Sequence, residues 1–142
     1  MVDYAPINLT ASKTLTGSDA GTVITANAAA GMTLTLPASS GSGRVYDIIV
    51  GTTVTTNNLI VQVANASDVM TGTAIMAQDG GDTVVQFETA STSDTITMNG
   101  STKGGIKGDR IRLQDVAANL WAVQVIGSGT GTEVTPFSAA VS

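Results

Sequence analysis

Met32-Thr33-Leu34-Thr35-Leu36-Pro37 places three apolar side chains on one face of an extended strand and two hydroxyls on the other. Successive side chains leave opposite faces of a pleat, so this period of two marks a half-buried β-strand. Pro37 has no N–H to give to a ladder and closes the stretch. Ile96-Thr97-Met98, Arg110-Ile111-Arg112-Leu113 and Trp121-Ala122-Val123-Gln124-Val125 repeat the alternation. Thr22-Val23-Ile24-Thr25, Val45 to Val50, Leu59 to Val63 and Thr83 to Glu88 read as further strands, and Ala74 to Ala77 as a shorter one.

Glycine and Asx clusters punctuate these strands. Gly17-Ser18-Asp19-Ala20-Gly21, Gln78-Asp79-Gly80-Gly81-Asp82, Asn99-Gly100 and Gly104-Gly105 are turn chemistry. Gly127-Ser128-Gly129-Thr130-Gly131 is expected to break the strand that begins at Leu120. Ala38-Ser39-Ser40-Gly41-Ser42-Gly43 reads as a loop between strands, too short to separate domains. Many short strands without a helical period point to an all-β single domain, an antiparallel β-sandwich of jelly-roll-like form. The absence of a fixed repeat counts against a β-helix or a propeller. Residues 1–12 are expected as an N-terminal arm, 13–132 as the sandwich, and 133–142 as a C-terminal strand or arm.

With 142 residues and 42% hydrophobic composition, the chain buries a core without metal or disulfide staples. Charged residues make up only 12%, about half the usual share. Sheet proteins guard open edges with charge, lysine above all, and this chain has only Lys13, Lys103 and Lys107. Sparse charge leaves two readings: neighbouring subunits cover the edges and apolar rims, which is favoured, or serine, threonine and asparagine keep them soluble. The net charge of −5 and the scattered cations leave no basic stripe for phosphate backbones or anionic lipid, so neither nucleic acid nor membrane is expected as a partner. Arg110, Arg112 and Gln114 read as a solvated strand face.

The chain has no histidine and no cysteine. That excludes serine–histidine triads, thiolate nucleophiles and histidine- or cysteine-ligated metal. Glu88 and Glu133 are the only glutamates, and no aromatic-rich groove surrounds either in the sequence; a two-carboxylate hydrolase has little support. The Gln78–Asp82 segment lacks the further acids of a calcium loop, and Gly127–Gly131 lacks the lysine of a phosphate loop. No enzyme activity, cofactor or metal is expected. Trp121, alternating with Val123 and Val125, reads as core. The acidic start of the chain does not resemble a signal peptide, so a cytoplasmic product is expected unless a larger particle carries it out.

Three stretches together resemble the capsid decoration, or cement, proteins of tailed bacteriophages. They are Leu15-Thr16-Gly17-Ser18-Asp19-Ala20-Gly21-Thr22-Val23-Ile24; Ala30-Gly31-Met32-Thr33-Leu34-Thr35-Leu36-Pro37 with Tyr46-Asp47-Ile48-Ile49-Val50-Gly51; and Gly108-Asp109-Arg110-Ile111-Arg112-Leu113-Gln114-Asp115-Val116 with Trp121-Ala122-Val123 and Thr135-Pro136-Phe137. The resemblance implies a structural virion protein, assembled in the host cytoplasm, that decorates and stabilises an icosahedral head. It would bind the major capsid protein from outside, as a homotrimer. A virion-borne adhesin or fibre module that binds host glycan is the alternative. The candidate contacts, with the capsid or between subunits, are Tyr4, Pro6 and Ile7 in the N-terminal arm and Pro136 and Phe137 in the tail, with capping of the sandwich as the alternative role for Phe137.

Overall fold

The computed structural model describes residues 5–141. The described strands are β1 (Ile7–Leu9), β2 (Lys13–Thr14), β3 (Val23–Ala26), β4 (Met32–Thr35), β5 (Val45–Val50), β6 (Leu59–Gln62), β7 (Val69–Gln78), β8 (Val84–Glu88), β9 (Thr95–Met98), β10 (Arg110–Ala117), β11 (Leu120–Gly129) and β12 (Phe137–Ser138). One 3-10 turn, Gly17–Asp19, is the only helical element among the described residues. The strands form a seven-stranded sheet, β1-β3-β5-β10-β11-β7-β8, and a five-stranded sheet, β12-β9-β6-β4-β2. The two pack together as a single-domain β-sandwich.

Alternation fills the space between them. Tyr46, Ile48 and Val50 of β5, Ile111 and Leu113 of β10, and Trp121, Val123 and Val125 of β11 point inward from the larger sheet. Met32 and Leu34 of β4, Leu59 and Val61 of β6, and Ile96 and Met98 of β9 meet them from the smaller one. Trp121 stands edge-on to Tyr46, with ring centroids 5.7 Å apart, a favoured aromatic geometry. The Tyr46 hydroxyl donates to the Thr16 carbonyl at 3.0 Å, which satisfies the one polar atom of that ring.

The β-sandwich is as expected, but its sheets are mixed, where an antiparallel, jelly-roll-like pairing was expected. From β1 to β6 the chain crosses from one sheet to the other at every connection. Each return to a sheet therefore runs in the same direction. β1, β3 and β5 pair in parallel, and so do β2, β4 and β6. This half of the chain is a parallel coil with unequal turns: Ile7 lies beside Ile24, but Val23 lies beside Asp47. The inequality is why no repeat is visible in the sequence. The second half closes the coil with antiparallel strands, β9 against β6 and β10 against β5. β7 then pairs in parallel with β11.

Three boundaries also differ from expectation. β7 begins at Val69, because Thr71-Gly72-Thr73 weakens the apolar alternation that marks its second half. β11 continues to Gly129 through the glycine segment, since Gly127 and Gly129 lie where the Asp109 and Glu133 side chains pack against the strand. Within residues 1–12, expected as an arm, Ile7–Leu9 forms β1 and pairs with β3 in the larger sheet, while residues 1–4 lie outside the described residues.

Candidate functional site

The outer face of the larger sheet carries a row of side chains set by register. Ile49 of β5, Arg110 of β10, Ile126 of β11, Ile75 of β7 and Gln86 of β8 are successive cross-strand neighbours. Beside them Ala77 neighbours Val84. Ile126 is 56% exposed, Ile75 40% and Val84 61%, so three large aliphatic groups face solvent on one strip. The adjoining row, Asp47, Arg112, Gln124, Thr73 and Glu88, is polar. Arg110 Nε lies 3.5 Å from Asp47 Oδ1. Arg112 makes no ion pair among the described residues. It borders two shallow grooves, one with Thr71, Thr73, Gln114 and Gln124 and the other with Thr22, Val23 and Asp47.

The buried acids serve the fold. Asp115, on the inward face of β10, accepts the N–H groups of Ser40, Gly41 and Ser42 and the Ser42 hydroxyl, the last at 2.6 Å. Burial pushes its carboxyl up, but the Ser42 hydroxyl and the three N–H groups outweigh that and hold it at about 2. Asp109 accepts the N–H groups of Gly105, Ile106 and Ser128. There burial prevails and its carboxyl is raised above the ordinary range despite those bonds. Asp68 holds the Ser39 N–H, and Asp94 holds those of Ala140 and Val141. Asp19 is lowered: burial opposes ionisation, but the Lys13 ammonium at 2.7 Å and the Thr16 N–H prevail. These carboxylates tie loop backbone to strands or to the segments flanking them, because a buried charge is tolerated only when donors surround it.

The two glutamates are far apart. Glu88 lies beside Thr73 in the register of β7, while Glu133 accepts a hydrogen bond from Gln78, five residues further along that strand. At about 3.3 Å per residue the separation is on the order of 16 Å. Paired hydrolytic carboxylates stand roughly 5–10 Å apart. Among the described residues no group of three or more acidic side chains is placed to hold a metal ion. Asp79 instead accepts the Gly131 N–H, tying the β7–β8 turn to the segment after β11.

The expected contact residues fall in different settings. Tyr4 lies outside the described residues. Pro6 is exposed, but Ile7 belongs to β1 and packs against the core. Pro136 and Phe137 are buried, with Phe137 in β12 opposite Ile96 of β9. Phe137 therefore caps the sandwich, and the Pro136–Phe137 pair presents no free anchor. The exposed strip has a signal in the sequence: with Trp121, Val123 and Val125 facing inward, Ile126 breaks phase and must face out. Searches against family models, curated proteins and solved structures return no match for this chain.

Proposed function

We propose that the chain is a structural virion protein that decorates the outside of an icosahedral phage head and stabilises it by binding the major capsid protein. The observation that carries this reading is the strip of Ile126, Ile75 and Val84, three exposed aliphatic side chains gathered on one sheet face. Exposed aliphatic groups gathered on one rigid face mark an interaction surface more often than isolated ones do. Covering the three is worth on the order of 3 kcal/mol per copy. Repetition over a lattice turns such modest contacts into a large gain in shell strength. The resemblance of the three strand-and-turn stretches supplies the identity of the partner.

The test uses heads that lack the protein. Adding the wild-type chain should fill them, and Ile75→Asp with Ile126→Asp should lower occupancy at least about tenfold, since two charges would be buried at the contact. Circular dichroism and thermal unfolding close to wild type would show that the fold survives, as expected for exposed positions. Undiminished occupancy by the folded double variant moves the contact off this strip. A wild-type chain that binds no expanded head overturns the function.

A second reading, a virion-borne module that binds host glycan, draws on the groove where Thr71, Thr73, Gln114 and Gln124 surround Arg112. Hydroxyl and amide groups of this kind pair with sugar hydroxyls. Arg112→Ala separates the two readings: it should abolish retention on host polysaccharide under the second and leave head occupancy within about twofold under the first.

A further inference from the structure

β8 forms one margin of the larger sheet, and its hydrogen-bonding phase is fixed at both ends. Gln78 N–H donates to the Thr83 carbonyl, and Thr89 N–H donates to the Gly72 carbonyl. In an antiparallel ladder the bonding residues alternate, so Val85 and Phe87 also turn their backbone groups toward β7. Val84, Gln86 and Glu88 then turn three N–H and three C=O groups out of the sheet.

The other margins offer less. In β1 the Leu9 carbonyl accepts from Asn27, so Ile7 and Leu9 face β3 and only Asn8 faces outward, preceded by Pro6, which has no N–H. β2 and β12 are two residues long. In the segment around β12, the Pro136 and Ser138 carbonyls are taken by Thr97 and Asp94, leaving Phe137 turned away. Short margins and proline are how sheets avoid edge pairing. β8 has neither device, and its single charge, Glu88, sits at its end.

We propose that β8 pairs antiparallel with β8 of a second copy of this chain, about a twofold axis at Gln86. This register matches all the outward groups: Val84 pairs with Glu88 of the second copy, Gln86 with Gln86, and Glu88 with Val84. Only another β8 presents an outward run of the same length and phase among the described strands. The side chains agree with the register. Val85 and Phe87, half-buried on the inner face, each meet the other's counterpart, a favourable aromatic–β-branched pair formed twice. Glu88 meets a valine and not its own image. The axis stands perpendicular to the sheet, so the exposed aliphatic strips of both copies lie on one side of a continuous sheet. The proposal is independent of which particle or glycan that face meets. It closes at two chains, not the three that the resemblance implies.

Light scattering of the purified chain should give a mass of two chains at high concentration. Gln86→Pro removes the central intermolecular donor without touching a bond to β7, and should weaken association at least about tenfold with the fold retained. Because the chain has no cysteine, Gln86→Cys gives a single thiol. Across a hydrogen-bonded antiparallel pair the Cα atoms stand about 5.5 Å apart, so oxidation should link two chains. Val84→Cys should not link, since its image lies about 13 Å along the strand. A wild-type chain that stays monomeric overturns the proposal. So does an assembly that persists unchanged in Gln86→Pro, or cross-linking as efficient through Val84→Cys as through Gln86→Cys.

Discussion

Gly72→Ala is expected to destabilise the chain by about 3–5 kcal/mol, a large share of the roughly 5–15 kcal/mol that holds a domain folded. Gly72 sits in the middle of β7 opposite Val123 of β11, with φ near +153°. A Cβ there would overlap the Val123 carbonyl oxygen, which is backbone of the neighbouring strand and cannot swing aside as a side chain would. Relief requires prising β7 from β11 near the centre of the larger sheet, or abandoning a backbone conformation that only glycine adopts at low cost. Gly72 N–H and C=O also hold Thr89, so displacement loosens the end of β8 as well. Thermal or urea unfolding checks this, with exposed Thr71→Ala as the neighbouring control at under about 1 kcal/mol.

Asp115→Ala is expected to cost about 3 kcal/mol, through loss of the loop at residues 40–42. Three backbone N–H groups and the Ser42 hydroxyl would lose a charged acceptor at once. The effect carries a pH signature. The folded carboxyl titrates at about 2 against 3.8 for the ordinary group. Its stabilisation is therefore fully present above the unfolded value and is lost as pH falls from about 4 through about 2, with a span of about 2 kcal/mol. Asp109 has the opposite sign. Its folded value is raised, so its contribution is present at low pH and declines as pH rises through that raised value. Urea midpoints of wild type and Asp115→Asn, compared from pH 7 to pH 2, should converge on the acid side. A gap that stays constant over that range would show that the carboxylate charge is not what holds the loop.

The strands themselves are legible from local pattern. Val45–Val50 is bounded as its alternation predicts, and the strands around Met32, Leu59, Ile96, Arg110 and Trp121 each appear within a few residues of expectation. Pairing is not legible, because it depends on where each connection crosses, and the turns of the coil differ in length. β7 shows the same limit in one strand: the need for glycine at 72 follows from Val123, 51 residues later in the chain. The candidate site divides similarly. For Phe137 the sequence leaves open both a free anchor and a cap on the sandwich, because only the position of β9 decides between them, and Phe137 lies opposite Ile96. The outward phase of Ile126 was available once the inward phase of Trp121 was fixed. The role of Asp115 was hidden, since only the fold brings residues 40–42 to it.

The interleaving of β10 and β11 between β5 and β7 governs the order in which the chain becomes safe from aggregation during synthesis. By the time Gln78 has been made, β5 and β7 both exist, but the two strands that separate them in the sheet are still to come. At roughly 5–20 residues per second, Gly129 follows some 3–10 s later. Local strand pairing takes microseconds. The coil of β1 to β6 therefore has ample time to collapse with the bare edge of β5 and its apolar face uncovered. That nascent form, and not the finished protein, is the species in which this low-charge chain is most exposed to sticking to its neighbours on a polysome. A chaperone that shields β5 until β10 emerges would raise yield without changing the stability of the product.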